Sequence, residues 1–299
     1  MPAAGLDLGG YTVRGKEASV GMLRENRIFL SQTRVHGLNG QVLFDSHNHL
    51  QSRKFGLSAG VLIGQMRDVG VTGCVVNSTR EGDWEVVRAL ARDFPGFVRP
   101  AYGVHPWFAD TVETGWQDRL REFLANDLSA GVGEIGVDGW VSAPSMEIQQ
   151  DVFREQIRIA VGLDRPVTIH CLKAWGELFD EMDRADAWPK KFLMHSFGGS
   201  IEIAQRLLKH GAWFSFSGYF LQKRKAKVLE VFKHLPKDRI LLETDAPDMM
   251  PPSDLVKFPL NEGVNHPANL RAIAEAFEKE MGEGTLEQMT ENSKRFWGR

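Results

Sequence analysis

The chain has 299 residues, 42% of them hydrophobic, and 36 Lys and Arg stand against 39 Asp and Glu for a net charge of −3. Such a length buries a sizeable core in one large domain or two small ones, and the balanced charge argues against a globally basic nucleic-acid binder while leaving room for a local basic patch. Cys74 and Cys171 lie far apart in apolar runs, which suits reduced thiols in a cytoplasmic protein (nuclear if the source is eukaryotic) rather than a disulfide framework. No stretch reaches the roughly 18 apolar residues of a membrane span, and the start "MPAAGLDLGG" lacks the layout of a secretory signal.

Residues 1–40 are rich in Gly and Arg and show no sustained period, so they read as an N-terminal extension ahead of a domain over 41–299. From residue 41 onward, short β-rich runs alternate with longer amphipathic ones. The expected strands are 41–47, 72–78, 98–105, 129–136, 166–170, 191–196, 212–217 and 239–245. Helical periodicity fills segments between them, among them 82–94, 145–163 and 200–211. Strands starting roughly 20 to 37 residues apart have the spacing of βα units. Eight such units predict an α/β fold, a parallel (β/α)8 TIM barrel. An open doubly wound sheet is the alternative, but no Gly-rich phosphate fingerprint follows the first strand.

The polar residues fall where that barrel would use them. Asp45, His47 and His49 close the first strand and His105 the third. Glu134 belongs to the fourth, His170 to the fifth, His195 to the sixth, and Glu243 and Asp245 to the eighth. In a (β/α)8 barrel those C-terminal ends converge on one face, where active sites lie. Alternation sets the direction: Val167, Ile169 and Cys171 face the helices and leave His170 inward, and Ile240, Leu242 and Thr244 do the same for Glu243 and Asp245.

Four histidines with two or three carboxylates exceed the three protein ligands of a typical catalytic zinc, and they suit two neighbouring divalent ions. His47 and His49 clamp one ion from a single strand and Asp245 completes its set, with a further role as proton acceptor. His170 and His195 hold the second. Glu134, between the groups, is the bridge. Zn, Mg and Mn all remain open as the metal. Asp45 and Glu243, one layer below, are expected to orient ligand imidazoles, and Asp138 to support the segment beyond Glu134.

The segments "FDSHNHL" (44–50), "YGVHPW" (102–107), "GEIGVD" (133–138), "RPVTIHC" (165–171), "HSFGG" (195–199), "LLETDAP" (241–247) and "NHPANL" (265–270) together resemble the TatD family of metal-dependent deoxyribonucleases, within the amidohydrolase-like barrels. The resemblance covers roughly residues 41–299, and "ENSKRF" (291–296) is similar to the family's last helix. It implies a hydrolase that removes nucleotides from a 3′ end, with His47, His49, Glu134, His170, His195 and Asp245 as ligands. His105 becomes a phosphate contact or proton donor rather than a ligand. One departure stands out: where many members carry Ser-Arg after the fifth-strand histidine, this chain reads "HCLKAWG" (170–176), which moves the cation to Lys173.

On the expected rim, Lys223 and Arg224 of "LQKRKAK" (221–227) are candidate phosphate contacts. Trp107, Trp175, Tyr219 and Phe220 are placed to stack on unpaired bases or simply to pack. His210 and His234 end helices, and His266 is expected to cap the last helix. The resulting expectation is a soluble two-metal nuclease acting on single-stranded DNA or 3′ ends, with no obligate protein partner. A hydrolase of small amides, lactones or phosphotriesters is the first alternative, and a non-catalytic nucleic-acid-binding barrel the second.

Overall fold

The computed structural model describes residues 41–298, so the expected extension over 1–40, with His36, lies outside the described residues. Eight strands pair side by side, all parallel, in the order of the chain: β1 (Leu43–Asn48), β2 (Val71–Asn77), β3 (Val98–Tyr102), β4 (Gly131–Asp138), β5 (Val167–Leu172), β6 (Phe192–Met194), β7 (Trp213–Ser217) and β8 (Ile240–Glu243). Parallel neighbours need a crossover, and helices supply it: α1 (Ala59–Asp68), α2 (Glu81–Asp93), α3 (Trp116–Asn126), α4 (Met146–Gly162), α5 (Trp175–Arg184), α6 (Ile201–Lys209), α7 (Ala226–His234) and α8 (Leu270–Met281). A last helix, α9 (Thr285–Trp297), follows. The protein is a (β/α)8 barrel. No helix among the described residues is long and apolar enough to cross a membrane.

Local chemistry sets the elements. Ser58, Ser145 and Ser200 begin α1, α4 and α6, each side chain accepting the N–H three residues on. In α4 the buried residues Gln149, Val152, Phe153, Gln156, Ile157 and Ala160 recur at helical spacing and form one face. The strand runs bury both faces, as parallel barrels require. Alternate strand residues join the large core between barrel and helices. The others, with Phe44, Val75, Leu193 and Leu241 among them, form a second cluster with Phe296 and Trp297 of α9.

The seam between β8 and β1 positions the site. Asp245 N–H donates to His47 O at 3.0 Å, and His49 N–H donates to Ala246 O at 2.8 Å. Below them the Asp45 carboxylate accepts from Thr244 N–H (2.9 Å), Thr244 Oγ1 (2.6 Å) and Asn48 Nδ2 (3.0 Å). The two strands are thereby clasped where three ligand-type residues emerge.

Several strands stop short of the expected ends. β3 ends at Tyr102, β6 at Met194 and β8 at Glu243, so His105, His195 and Asp245 stand in the loops just beyond. Asp245 adopts a left-handed backbone (φ 51°), which its short polar side chain tolerates better than most.

Candidate metal centre

His47, His49, His170, His195, Glu134 and Asp245 meet in one largely buried pocket at the C-terminal ends of the strands. Glu134, 3% exposed, lies at its middle and divides it. One oxygen, Oε2, is 3.3 Å from both His47 Nε2 and His49 Nε2. The other, Oε1, is 2.8 Å from His195 Nε2 and 3.0 Å from His170 Nδ1. Asp245 Oδ1 joins the first group, at 3.4 Å from His47 Nε2 and 3.6 Å from His49 Nε2. Within each group the imidazoles also converge: His47 Nε2 and His49 Nε2 are 3.2 Å apart, as are His170 Nδ1 and His195 Nε2.

The spacings among His47, His49, Glu134 and Asp245, mostly 3.3–3.6 Å, fit a divalent cation, whereas His170 and His195 lie at hydrogen-bond distances from Glu134. With bonds of about 2.0–2.2 Å to N and O donors, a tetrahedral ion holds its ligands roughly 3.3–3.6 Å apart. Lone pairs of neighbouring imidazoles turned at each other have no hydrogen-bond partner unless a proton or a cation sits between them. The donor set is also right in kind: imidazole with carboxylate, and no thiolate.

The charges agree. Burial alone would push the Glu134 carboxyl up, but His195, His105 and His47 hold it well below the usual range. Asp245 is likewise lowered against its burial by the His49 hydrogen bond and by His47 and His195. Against the same desolvation, Asp245 and Glu134 raise His49 to about 10, and Glu134 raises His195 well above its ordinary value. Two anions in a pocket poor in water thus demand positive charge, which protons provide until a metal displaces them.

Neighbouring groups select the nitrogen that faces inward. His49 Nδ1 donates to Asn77 O at 2.8 Å, leaving Nε2 for the centre. In His170 the roles reverse: Nε2 donates to Asp138 Oδ2 at 3.1 Å and Nδ1 faces Glu134. Asp138 therefore reaches a ligand-type imidazole directly, in addition to the loop beyond β4. Glu243 behaves otherwise. It accepts from Ser196 N–H (2.7 Å), Ser196 Oγ (2.5 Å) and Ser215 Oγ, and stays 3.7 Å from His195 Nδ1. Asp45 bonds to Thr244 and Asn48, and its only hydrogen bond to a histidine is from the His47 backbone N–H at 3.4 Å. Closer donors thus surround both carboxylates, while Glu243 keeps within ion-pair reach of the His195 imidazole.

His105 caps the turn Pro106–Thr111, and its Nδ1 accepts Trp107 N–H at 3.2 Å. Burial lowers it to about 4, so the ring is neutral near pH 7 and carries its proton on Nε2, 3.3 Å from Glu134 Oε1. That tautomer offers the centre an N–H rather than a lone pair.

On the rim the expected residues separate. Trp107 is half exposed and its Nε1 donates to Asp138 Oδ2 at 2.7 Å. Lys173 holds its ammonium over the Trp140 ring, 3.9 Å from the centroid. Lys223 and Arg224 are exposed in a short turn, where Arg224 Nε donates to Gln222 Oε1 and the guanidinium lies 5.2 Å above Tyr219. Of the other aromatics, Phe220 is buried and Trp175 packs on Phe197, so both serve the core. His210 and His234 end α6 and α7, and His266 caps the turn into α8 rather than the last helix, α9.

The sequence reading passes over Asn77, Gln149, Gln156 and Trp140. Gln149 brackets Asp138, accepting its N–H at 2.7 Å and donating to its carbonyl at 3.2 Å, and Gln156 does the same for Val104. Two glutamines on the apolar face of α4, seven residues apart, are the signal that could have exposed them.

Comparison with known proteins agrees with this geometry. The model of the family described as TatD related DNase matches residues 44–298. An uncharacterised metal-dependent hydrolase of Bacillus subtilis, YabD, is 29% identical over 263 residues, covering 86% of this chain and 99% of its own length. The 3′-5′ ssDNA/RNA exonuclease TatD of Escherichia coli is 29% identical over 245 residues, 81% of this chain and 92% of that protein. The crystal structure of the TatD homologue YjjV from Escherichia coli superposes with a TM-score of 0.78 at 25% identity, over 86% of this chain and 98% of that one.

Proposed function

The chain belongs to the TatD related DNase family, a family of metal-dependent hydrolases, and we propose that it is a two-metal nuclease that trims single-stranded DNA from the 3′ end. One observation carries the reading: the two oxygens of Glu134 face two different sets of imidazoles, as a carboxylate shared by two cations must. His47, His49 and Asp245 would hold one ion and His170 and His195 the other. Such a pair supplies Lewis-acid activation of water and neutralises charge on the phosphoryl oxygens.

The chain's own residues supply the rest. Asp245, an ionised carboxylate beside His47 and His49, is placed to accept a proton from the attacking water. The Nε2–H of His105 points at the centre and is available to the phosphate or to the departing 3′ oxygen. Lys173 holds its ammonium over the Trp140 ring, on the segment that follows the ligand His170. Neither Cys74 nor Cys171 is in a disulfide among the described residues, which suits a cytoplasmic enzyme.

End-labelled DNA and RNA, digested across a panel of Zn, Mg and Mn, test the proposal. The expected result is progressive shortening from the 3′ end, abolished by EDTA and by Glu134→Ala. Activity confined to small esters, lactones or amides would overturn it.

A further inference from the structure

We propose that Trp107 and Trp140 form a stacking wall for the unpaired bases of a single-stranded nucleic acid, an inference that rests on the nuclease reading and names the feature selecting its substrate. Among the described tryptophans these two are the exposed ones, at 50% and 66%, whereas Trp84, Trp116, Trp213 and Trp297 are buried. An indole left in water gains nothing from packing, so two of them joined to one carboxylate, Asp138, mark a surface awaiting a partner.

Both are tied to the metal centre through one carboxylate. Asp138 Oδ2 accepts from Trp107 Nε1 at 2.7 Å and from His170 Nε2 at 3.1 Å, while Oδ1 accepts Trp140 N–H at 2.7 Å. The His105 ring meets Trp107 edge-on, with centroids 5.0 Å apart at 85°. The Trp107 ring is therefore set by the same groups that set the ligands and Asp138 anchors the backbone of Trp140, so binding a base costs little ordering at Trp107.

Lys173 defines which side of Trp140 is open. Its ammonium covers one face of the indole at 3.9 Å. The loops that carry the two residues are locked together: Gly139 N–H donates to Leu172 O at 2.7 Å, and a Cβ on Gly139 would lie 2.5 Å from Lys173 O. A base can stack on the uncovered face while the cation behind it meets a phosphate. A duplex keeps its base faces inside its own stack, so this wall favours single strands. Small lactones and esters present no such flat face.

Tryptophan fluorescence of the full-length protein in EDTA tests this without turnover. A short oligothymidylate should quench emission, and a blunt duplex or inorganic phosphate should not. Trp140→Ala should weaken oligothymidylate binding about 5- to 150-fold, and in the metal-loaded enzyme should raise KM rather than lower kcat. Trp140→Phe, which retains a flat ring, should keep most of the affinity. Equal quenching by duplex and single strand, or a Phe variant as weak as Ala, overturns the wall and leaves the nuclease reading intact. Trp140-dependent binding without any hydrolysis supports the wall and overturns the nuclease reading instead.

Discussion

Asp138 and His170 share a hydrogen bond of 3.1 Å that turns the imidazole so that Nδ1, rather than Nε2, faces Glu134. The hydrogen bond also lowers the Asp138 carboxyl against its burial, so the acceptor is charged at neutral pH. A charged acceptor fixes both tautomer and ring orientation. Asp138→Asn should weaken metal binding at the His170 and His195 position about 10- to 100-fold, with the His47 and His49 position little changed. Competition of the purified apoprotein with a chromogenic chelator measures both. Two unaltered affinities would show that His170 is oriented by other means.

The clasp between Asp45 and Thr244 predicts a different phenotype. Asp45→Ala strands a buried Thr244 N–H and the Asn48 amide. It should cost about 2–4 kcal/mol and loosen the seam that carries His47, His49 and Asp245. Urea unfolding reads the first effect and metal stoichiometry the second. A variant of native stability would mean that the backbone bonds across the seam suffice.

Gly136 sits between Glu134 and Asp138 with φ 150°, and a Cβ there would lie 1.9 Å from His170 O. Because the obstacle is backbone, no rotamer relieves it. Gly136→Ala should destabilise by about 3 kcal/mol or more and displace His170. Thermal melts with and without added Zn check it: the variant should lose stability and also much of the metal-induced rise in Tm.

How much of this was legible in the sequence follows from what each feature depends on. The barrel was legible because strand and helix periods alternate within single segments, each read locally. The six ligand-type residues were legible as a set because the C-terminal ends of parallel strands must share a face. Which nitrogen of each imidazole points inward was not, since His49 answers to Asn77 and His170 to Asp138 on other strands. Nor was the shell around Asp45 and Glu243, where Thr244, Asn48, Ser196 and Ser215 lie closer than any imidazole nitrogen. Those distances arise only on closing the barrel. Phe220, placed by the sequence either to stack or to pack, packs in the core, and Trp140, an exposed indole in a loop, carried no period to draw notice.

His266 lies outside the metal centre and predicts how stability responds to acid. Its Nδ1 accepts Ala268 N–H at 2.9 Å, so the Nε2 proton donates to Gln65 Oε1 at 2.8 Å, and both bonds need the neutral ring. Burial lowers its pKa to about 4 from an ordinary 6.5. The unfolded chain therefore binds a proton below pH 6.5 that the folded protein refuses until about 4. The sign follows: the neutral ring's contribution is complete above pH 6.5, falls as the pH drops toward 4, and is level below that. Its size is about 2–3 kcal/mol. His266→Asn keeps a side-chain acceptor for the Ala268 N–H but has no proton to bind in this range. Urea unfolding of both proteins at pH 7, 5.5 and 4.5, in EDTA to remove metal linkage, should show wild type losing stability relative to the variant as the pH falls. A constant difference across that window would mean that His266 takes up its proton equally in both states.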